Sequence, residues 1–218
     1  MSTPPEVRPA RRDEIGALAR TLAAAFHDDP VMEWLWPDPR RRALGLPRLF
    51  AAQTRHQHIT TGAVDIASAP SGAISGAALW DAPGRWKPSS WRELRMFPRL
   101  ARAFGGRLRV GKELVDLMTE VHPDEPHWYL ATIGTDPERR GHGFGQALLE
   151  SRLEQCDRES IPAYLESSKQ ANIAYYERFG FEVTGTITVP GGGPDLWPMW
   201  RAPRPVPDSL LSTERAEG

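Results

Sequence analysis

The spacing of apolar side chains along the first half of the chain predicts helices and a pair of strands. A short extended stretch at 5–10 precedes apolar residues that recur every three or four positions over 11–26, which is typical of an amphipathic helix. The same period returns at 42–58. Two β-prone segments at 63–68 and 72–80, joined by a turn, predict a hairpin. From 84 to 126 the period is helical again, which predicts a helical insertion between the third and fourth strands.

The second half of the chain alternates strands with helices. Extended patterns at 127–137 and 161–168 are each followed by a helical pattern, at 144–160 and 170–180, and Gly180 stands where a helix ends. A final strand pair is predicted at 181–189 and 196–201. We therefore expect one mixed α/β domain over 1–201, and a disordered tail over 202–218 because that segment is polar and rich in proline.

The composition of the chain limits the kinds of binding partner that we expect for the protein. The formal net charge is -1, which gives no reason to expect a nucleic acid or a membrane surface as partner. No apolar run approaches the roughly 20 residues that span a bilayer, and the first 14 residues lack the apolar core of a secretion signal. The single cysteine, Cys156, excludes an internal disulfide and a thiolate metal site. These features predict a cytoplasmic protein with a small ligand.

A glycine-rich segment lies at the predicted junction of a strand and a helix. Arg139 and Arg140 are followed by Gly141, Gly143 and Gly145. The first turn of a helix offers unpaired N–H groups and a partial positive charge, and phosphate oxygens approach those groups closely only where no Cβ intervenes. Arginine side chains add charge-assisted hydrogen bonds. The pattern therefore indicates a site for a phosphate-containing ligand.

Two common phosphate-binding motifs do not fit this segment. A dinucleotide-binding turn reads G-x-G-x-x-G and is followed about 20 residues later by an acidic residue on a second strand, whereas the spacing here is G-x-G-x-G and that position falls in a helix. A P-loop requires G-K-[ST], which is absent.

The segment "IGTDPERRGHGFGQALL" resembles the pyrophosphate loop of the GNAT superfamily of acetyl-coenzyme A-dependent acyltransferases, whose motif is [QR]-x-x-G-x-[GA]. Arg140, Gly143 and Gly145 occupy the motif positions. About 30 residues later, "NIAYYERFGFE" is similar to the second signature of the same family. The whole chain resembles the puromycin N-acetyltransferase type, although its middle insertion does so only loosely. The resemblance implies the GNAT fold, a mostly antiparallel, partly splayed sheet flanked by helices.

The resemblance also implies which residues hold acetyl-coenzyme A. Backbone groups at the end of the predicted strand, in Ile133, Gly134 and Thr135, contact the pantetheine arm. The loop and the helix start hold the pyrophosphate with Arg140, Gly141, His142, Gly143, Phe144, Gly145 and Gln146. Asn172, the only asparagine, matches a family residue that touches coenzyme A, although asparagine is also a common helix N-cap residue.

Two residues have the chemistry that an amide-forming transfer requires. Tyr176 is the expected general acid for the departing thiolate, since its ordinary pKa near 10 suits a thiol; the alternative is a tyrosine that only packs in the core. Tyr175 cannot share the role because adjacent helical residues face different directions. Glu166 lies at the end of a predicted strand and could act through a water as general base; the alternative is a carboxylate paired with an arginine.

The remaining polar and aromatic residues give weaker indications. No spacing of histidines and carboxylates supports a metal site. Tryptophans in the amino-terminal region and the insertion either line an aromatic acceptor pocket or simply pack in the core: Trp34, Trp36, Trp80, Trp86 and Trp91.

The sequence therefore predicts direct N-acetylation of a primary amine on a small molecule by acetyl-coenzyme A, in a monomer or homodimer without a metal. Two alternatives remain at this point. One is a protein acetyltransferase that modifies a lysine or an amino terminus. The other is a non-catalytic module that binds acyl-coenzyme A, which would keep Arg140 and the glycines but have no use for Tyr176.

Overall fold

The structure, a computed structural model, describes residues 5–60, 63–70, 72–87 and 90–205. The first half contains β1 (Glu6–Pro9), α1 (Ile15–Ala25), α2 (Pro30–Leu35), α3 (Pro39–His56), β2 (Val64–Ser68), β3 (Ile74–Asp81), α4 (Ser90–Phe104) and α5 (Leu108–Val121). The second half contains β4 (Trp128–Thr135), α6 (Phe144–Glu159), β5 (Ala163–Ser167), α7 (Ile173–Glu177), β6 (Glu182–Val183), β7 (Ile187–Thr188) and β8 (Asp195–Arg201).

The described strands form one open sheet in the order β1-β2-β3-β4-β5-β8-β6, with β7 also paired to β8. The β4–β5 pair is parallel, and the other neighbours are antiparallel. This confirms the predicted mixed α/β architecture with a mostly antiparallel sheet flanked by helices. The helical insertion between the third and fourth strands is also confirmed, as α4 and α5.

Helices cover both faces of the sheet because alternate strand residues point to opposite sides. On β2 and β3, Ile66 and Leu79 pack with Leu22 of α1 and Phe50 of α3 in one core. Ala78 and Trp80 on β3 face the other way, into a second core that contains residues of α6 and β5, among them Leu148, Leu149 and Leu165. Thus α6 and the loop before it are held against the middle of the sheet.

One local prediction differs from the structure, and two further local features were not predicted. The segment 31–36 is the short helix α2, which begins because the Asp29 carboxylate accepts hydrogen bonds from the amides of Val31 and Met32. The segment 181–189 is not one strand but two, β6 and β7, with Gly185 between them. In α4, Leu94 and Phe97 are exposed, and Met96 is the buried position.

The predicted tail begins after β8. Residues 202–205 lie on the surface, where the amide of Arg204 donates a 2.6 Å hydrogen bond to the Asp157 carboxylate. Residues 206–218 lie outside the described residues. The division into a domain over 1–201 and a disordered tail therefore stays a prediction.

Candidate active site

The parallel strands β4 and β5 pair only at their amino ends and then separate. Trp128 lies opposite Ala163, and Tyr129 lies opposite Tyr164. Beyond these pairs the strands border a cleft of 640 Å³ that also reaches the glycine loop and α7. Because β3 and β8 pair with the outer edges of the two strands, the inner backbone edges of β4 and β5 face this cleft.

A β-bulge in β4 lies where the strands separate. Leu79 of β3 lies opposite Thr132, whereas Trp80 lies opposite Leu130, so Ala131 is the extra residue. A bulge bends its strand and increases the local twist, which accounts for the divergence of β4 from β5. The three residues expected to contact a pantetheine arm follow the bulge and line the cleft: Ile133, Gly134 and Thr135.

The glycine loop, residues 139–145, closes one end of the cleft and leads into α6. Gly141 and Gly143 have φ angles of 81° and 83°, a left-handed conformation that costs other residues about 1–2 kcal/mol. A Cβ at either position would meet no described atom within 4 Å. Both residues are therefore glycine because of the backbone conformation, and both line the cleft just before the first turn of α6, where an anion would meet unpaired amides.

Gly134 and Gly145 are small for a different reason, which is close packing. A Cβ on Gly134 would lie 2.8 Å from the Cβ of Ala25, so this glycine lets β4 approach α1. A Cβ on Gly145 would lie 3.2 Å from the hydroxyl oxygen of Tyr175. The sequence motif alone did not separate these packing glycines from the conformational ones.

Two cations flank the same end of the cleft. The Arg140 guanidinium lies 3.7 Å from the Asp28 carboxylate and donates a 3.3 Å hydrogen bond to the carbonyl of Ala25. The Lys169 ammonium lies 3.2 Å from the same carboxylate of Asp28. Arg140 and Lys169 both line the cleft, so an anionic ligand there would meet two positive charges. Sequence reasoning identified Arg140 but not Lys169.

Tyr175 and Tyr176 both line the cleft, at different places. The Tyr175 hydroxyl lies beside Gly145 at the start of α6. Tyr176 is 9% exposed and packs in the second core with Phe181. Burial raises the pKa of Tyr176 well above its ordinary value of 10, and the negative charge of Asp29 raises it further. The phenol of Tyr176 therefore stays protonated at neutral pH.

Of the other residues expected to contact the cofactor, Asn172, Phe144 and Gln146 line the cleft and His142 does not. Asn172 lines the cleft at the start of α7, and its side chain makes no capping hydrogen bond, so the amide is free for a ligand. His142 does not line the cleft, because its Nδ1 faces the carbonyl oxygens of Arg139 and Arg140 at 3.2 and 3.1 Å. Phe144 and Gln146 line the cleft from the first turn of α6.

Glu166 lies at the opposite end of the cleft from the loop, and its side chain is only 2% exposed. No described arginine pairs with it. Its titratable neighbours are the phenols of Tyr129 and Tyr164 and the ring of His122, whose Nδ1 lies 3.7 Å from the Glu166 Oε1. His122 in turn lies 3.0 Å from His127, Nε2 to Nε2. Neither histidine was identified from the sequence, because they precede β4 in a loop without a recognisable motif.

Two of the tryptophans lie in the cores, and one contacts His122 beside Glu166. Trp36 and Trp80 are buried in the two cores, and Trp34 donates a hydrogen bond to the carbonyl of Gly191. Trp86 stacks on the His122 ring at a centroid distance of 3.6 Å. The side chain of Trp91 lies outside the described part of the chain.

The described residues contain no reactive thiol, no cluster of metal ligands and no helix that could span a membrane. Cys156 is buried, and burial raises the pKa of its thiol to about 12, so it does not form a nucleophilic thiolate at neutral pH. Within the described ranges, no cluster of histidine, cysteine and carboxylate side chains is arranged to hold a metal ion. No described helix has both the length and the apolar character needed to cross a membrane.

Comparison with known proteins gives a consistent assignment. The model of the acetyltransferase (GNAT) family matches residues 29–181, which contain the loop, both tyrosines and most of the residues that line the cleft. An uncharacterised N-acetyltransferase of Schizosaccharomyces pombe is 30% identical over 174 residues, which cover 75% of this chain and 68% of that protein.

Solved structures show the same fold. A protein named histone acetyltransferase HPA2 and related acetyltransferase, from Corynebacterium glutamicum, is 30% identical, with a TM-score of 0.73 over 95% of this chain and 99% of its own. The polyamine N-acetyltransferase of Drosophila melanogaster shares the fold at 16% identity, with a TM-score of 0.60 over 91% of this chain and 99% of its own. The chain therefore belongs to the GNAT acetyltransferase family, and it is an acetyltransferase rather than a non-catalytic module.

Proposed function

We propose that this acetyltransferase transfers an acetyl group directly from acetyl-coenzyme A to a primary amine of a small molecule. The observation that carries this proposal is the cleft between β4 and β5. It has an anion-binding loop at one end, a protonated tyrosine at its side and a buried carboxylate at the other end.

The cleft fits acetyl-coenzyme A by chemistry and by shape. Gly141 and Gly143 leave open space before the first amides of α6, and Arg140 and Lys169 add positive charge for a pyrophosphate. The inner edge of β4 offers backbone groups to an amide-containing pantetheine arm. Bound there, acetyl-coenzyme A would supply an activated acetyl group as a thioester.

Tyr176 supplies the proton that the departing thiolate needs. Its phenol is protonated at neutral pH because burial raises its pKa, and it lines the same cleft as the loop and Glu166, from α7. Glu166 serves the opposite need, since an amine attacks a carbonyl only after its ammonium form has lost a proton. Cys156 is too deeply buried to carry an acetyl group, which supports direct transfer.

The acceptor class is inferred from the helical insertion of α4 and α5, which we expect to narrow the acceptor groove. Trp36 stacks on Phe104 and donates a hydrogen bond to the carbonyl of Ala103, which fixes the end of α4 against the first core. A groove narrowed by this insertion would suit a small amine better than an extended peptide. We also propose, from the sequence resemblance, the puromycin N-acetyltransferase type, a monomer or homodimer, and a cytoplasmic location.

A second candidate is a protein amine as acceptor. The solved relative from Corynebacterium glutamicum, at 30% identity, bears the name of a histone acetyltransferase. This name favours a lysine side chain as the alternative acceptor.

Thiol release in the presence of acetyl-coenzyme A separates these candidates. The panel contains aminonucleosides, aminoglycosides, arylalkylamines, polyamines and lysine peptides, each at the same concentration. We expect turnover with a small amine and none with the peptides. Turnover restricted to lysine peptides would assign the second candidate instead.

Replacing Gly143 by alanine is expected to weaken coenzyme A binding about tenfold, equivalent to about 1.4 kcal/mol. The new Cβ forces a residue at φ 83° out of its preferred region, at a position that lines the cleft before the first turn of α6. Isothermal titration calorimetry with coenzyme A measures the change in Kd.

The matched control is Gly191→Ala. Gly191 has a φ of 71° and no described atom within 4 Å of its Cβ position, and it does not line the cleft. Both variants should lose similar stability, whereas only Gly143→Ala should lose coenzyme A affinity. Equal Kd values in the two variants would contradict an anion site at the loop.

A further inference from the structure

The two buried histidines behind Glu166 form a chain of contacts that the family assignment does not explain. His127 Nδ1 lies 2.6 Å from the carbonyl oxygen of Glu125, its Nε2 lies 3.0 Å from His122 Nε2, and His122 Nδ1 lies 3.7 Å from Glu166 Oε1. Both His122 and His127 are less than 10% exposed. These contacts therefore connect the surface residue Glu125 to the Glu166 carboxylate in the cleft.

The carbonyl of Glu125 determines which ring nitrogens of the two histidines carry a proton. A carbonyl oxygen only accepts hydrogen bonds, so His127 Nδ1 must donate. Burial lowers the pKa of His127, which keeps the ring neutral at neutral pH. A neutral imidazole has one N–H, so His127 Nε2 carries a lone pair and accepts a hydrogen bond from His122 Nε2–H.

Because the Nε2–H of His122 is used in the bond to His127, the singly protonated ring of His122 has its lone pair on Nδ1, which points toward Glu166. A lone pair on Nδ1 then faces a carboxylate oxygen, and two acceptors cannot form a hydrogen bond. This accounts for their 3.7 Å separation and for the finding that the buried Glu166 Oε1 has no hydrogen-bond partner among the described residues. One added proton would convert this contact into a charge-assisted hydrogen bond.

We propose that His122 takes up the proton that the acceptor amine loses, through Glu166, and that His127 sets the tautomer of His122 for this role. The proposal rests on the proposed function, because it needs an amine at the Glu166 end of the cleft. The ammonium N–H breaks as an O–H forms on Glu166 Oε1. That O–H then breaks as an N–H forms on His122 Nδ1, which restores the carboxylate and leaves an imidazolium.

Aromatic rings hold His122 in the required orientation. Trp86 stacks on one face at 3.6 Å, and Tyr129 and Tyr164 meet the ring edge-to-face at 4.8 and 5.0 Å. The only acidic side chain in contact with the His122 ring among the described residues is Glu166. The ring therefore cannot turn to exchange its two nitrogens without displacing all three neighbours.

Two substitutions of His127 test the role of the tautomer. In His127→Phe, His122 Nε2–H loses its acceptor, so the proton is expected to move to Nδ1 and donate to Glu166. His122 can then no longer accept a proton there, and we expect kcat to fall by roughly 10²-fold, the lower end of general acid–base contributions, with the Kd of coenzyme A unchanged. In His127→Gln the amide oxygen replaces Nε2 as the acceptor, and most of kcat should be restored.

Nitrogen-15 NMR of histidine-labelled protein provides a readout that needs no substrate. We expect His122 to be protonated on Nε2 in the wild type and in His127→Gln, and on Nδ1 in His127→Phe. Near-UV circular dichroism confirms that both variants keep the fold, and the glutamine variant preserves the test if phenylalanine does not fit.

The outcomes separate the relay from the proposed function. A wild-type His122 that is protonated on Nδ1 would overturn the relay, as would equal kcat values in the phenylalanine and glutamine variants. In either case amine turnover by the wild type would persist. Absence of turnover with every amine would overturn the proposed function, and the relay would lose its proton source with it.

Discussion

Replacing Tyr176 by phenylalanine is expected to lower kcat by about 10²-fold or more, while the Kd for coenzyme A keeps its wild-type value. The substitution removes one hydroxyl and retains the ring, so the packing of this buried residue against Phe181 is preserved. Only the proton for the departing thiolate is lost. Steady-state kinetics with the best amine of the panel measures kcat, and calorimetry measures Kd.

Tyr175→Phe is the matched control, because it removes a phenol hydroxyl from the neighbouring residue. That hydroxyl lies beside Gly145 at the loop, so its loss should affect coenzyme A affinity more than kcat. Tyr176→Phe should therefore lower kcat and leave the Kd for coenzyme A unchanged, whereas Tyr175→Phe should change mainly that Kd. If Tyr176→Phe retains wild-type kcat, the general acid is another group.

Replacing Arg152 by methionine is expected to lower the free energy of unfolding by about 3–5 kcal/mol. Arg152 on α6 donates a 2.5 Å hydrogen bond to Asp65 on β2, and their side chains are 10% and 8% exposed. The guanidinium also lies 4.7 Å from the centre of the Trp128 ring. Without Arg152, the buried Asp65 carboxylate has no compensating charge. Urea unfolding followed by circular dichroism measures the loss.

Two further variants identify the cause of that loss. Combining Asp65→Leu with Arg152→Met should recover most of the stability, because neither partner then leaves an unpaired buried charge. Lys112→Met removes an exposed pair with Asp116, whose side chains are 72% and 59% exposed, and should change stability by less than about 1 kcal/mol. A similar loss in Arg152→Met and Lys112→Met would contradict the burial argument.

The contact between Arg152 and Asp65 also bears on the site. It ties the middle of α6 to β2, while the first turn of the same helix presents its amides to the cleft. The position of the loop relative to β4 therefore depends on a charge pair that lies outside the cleft. This pair joins residues 87 positions apart, and no local sequence pattern indicates it.

Local sequence patterns were sufficient wherever the physical constraint is itself local. The alternation of strand and helix periods predicted β4, α6 and β5 in order, and the insertion of α4 and α5, because apolar spacing follows directly from the geometry of each element. The glycine loop was located in the same way, although its glycines were explained by the approach of phosphate and not by the positive φ angles that Gly141 and Gly143 adopt. The short helix α2 was not predicted, because its single turn is too brief for a period.

The tertiary structure decided which distant side chains meet. Gly134 is small because α1 packs on it, and Lys169 joins Arg140 only through their shared partner Asp28. His122 reaches Glu166 across 44 positions because the β4–β5 pairing places the loop before β4 beside the end of β5. The sequence alone thus determined the position of the glycine loop and the order of the elements along the chain. Strand pairing and core packing decide which groups surround the buried Glu166 carboxylate. Both depend on many weak contacts between distant parts of the chain, so they leave no local pattern in the sequence.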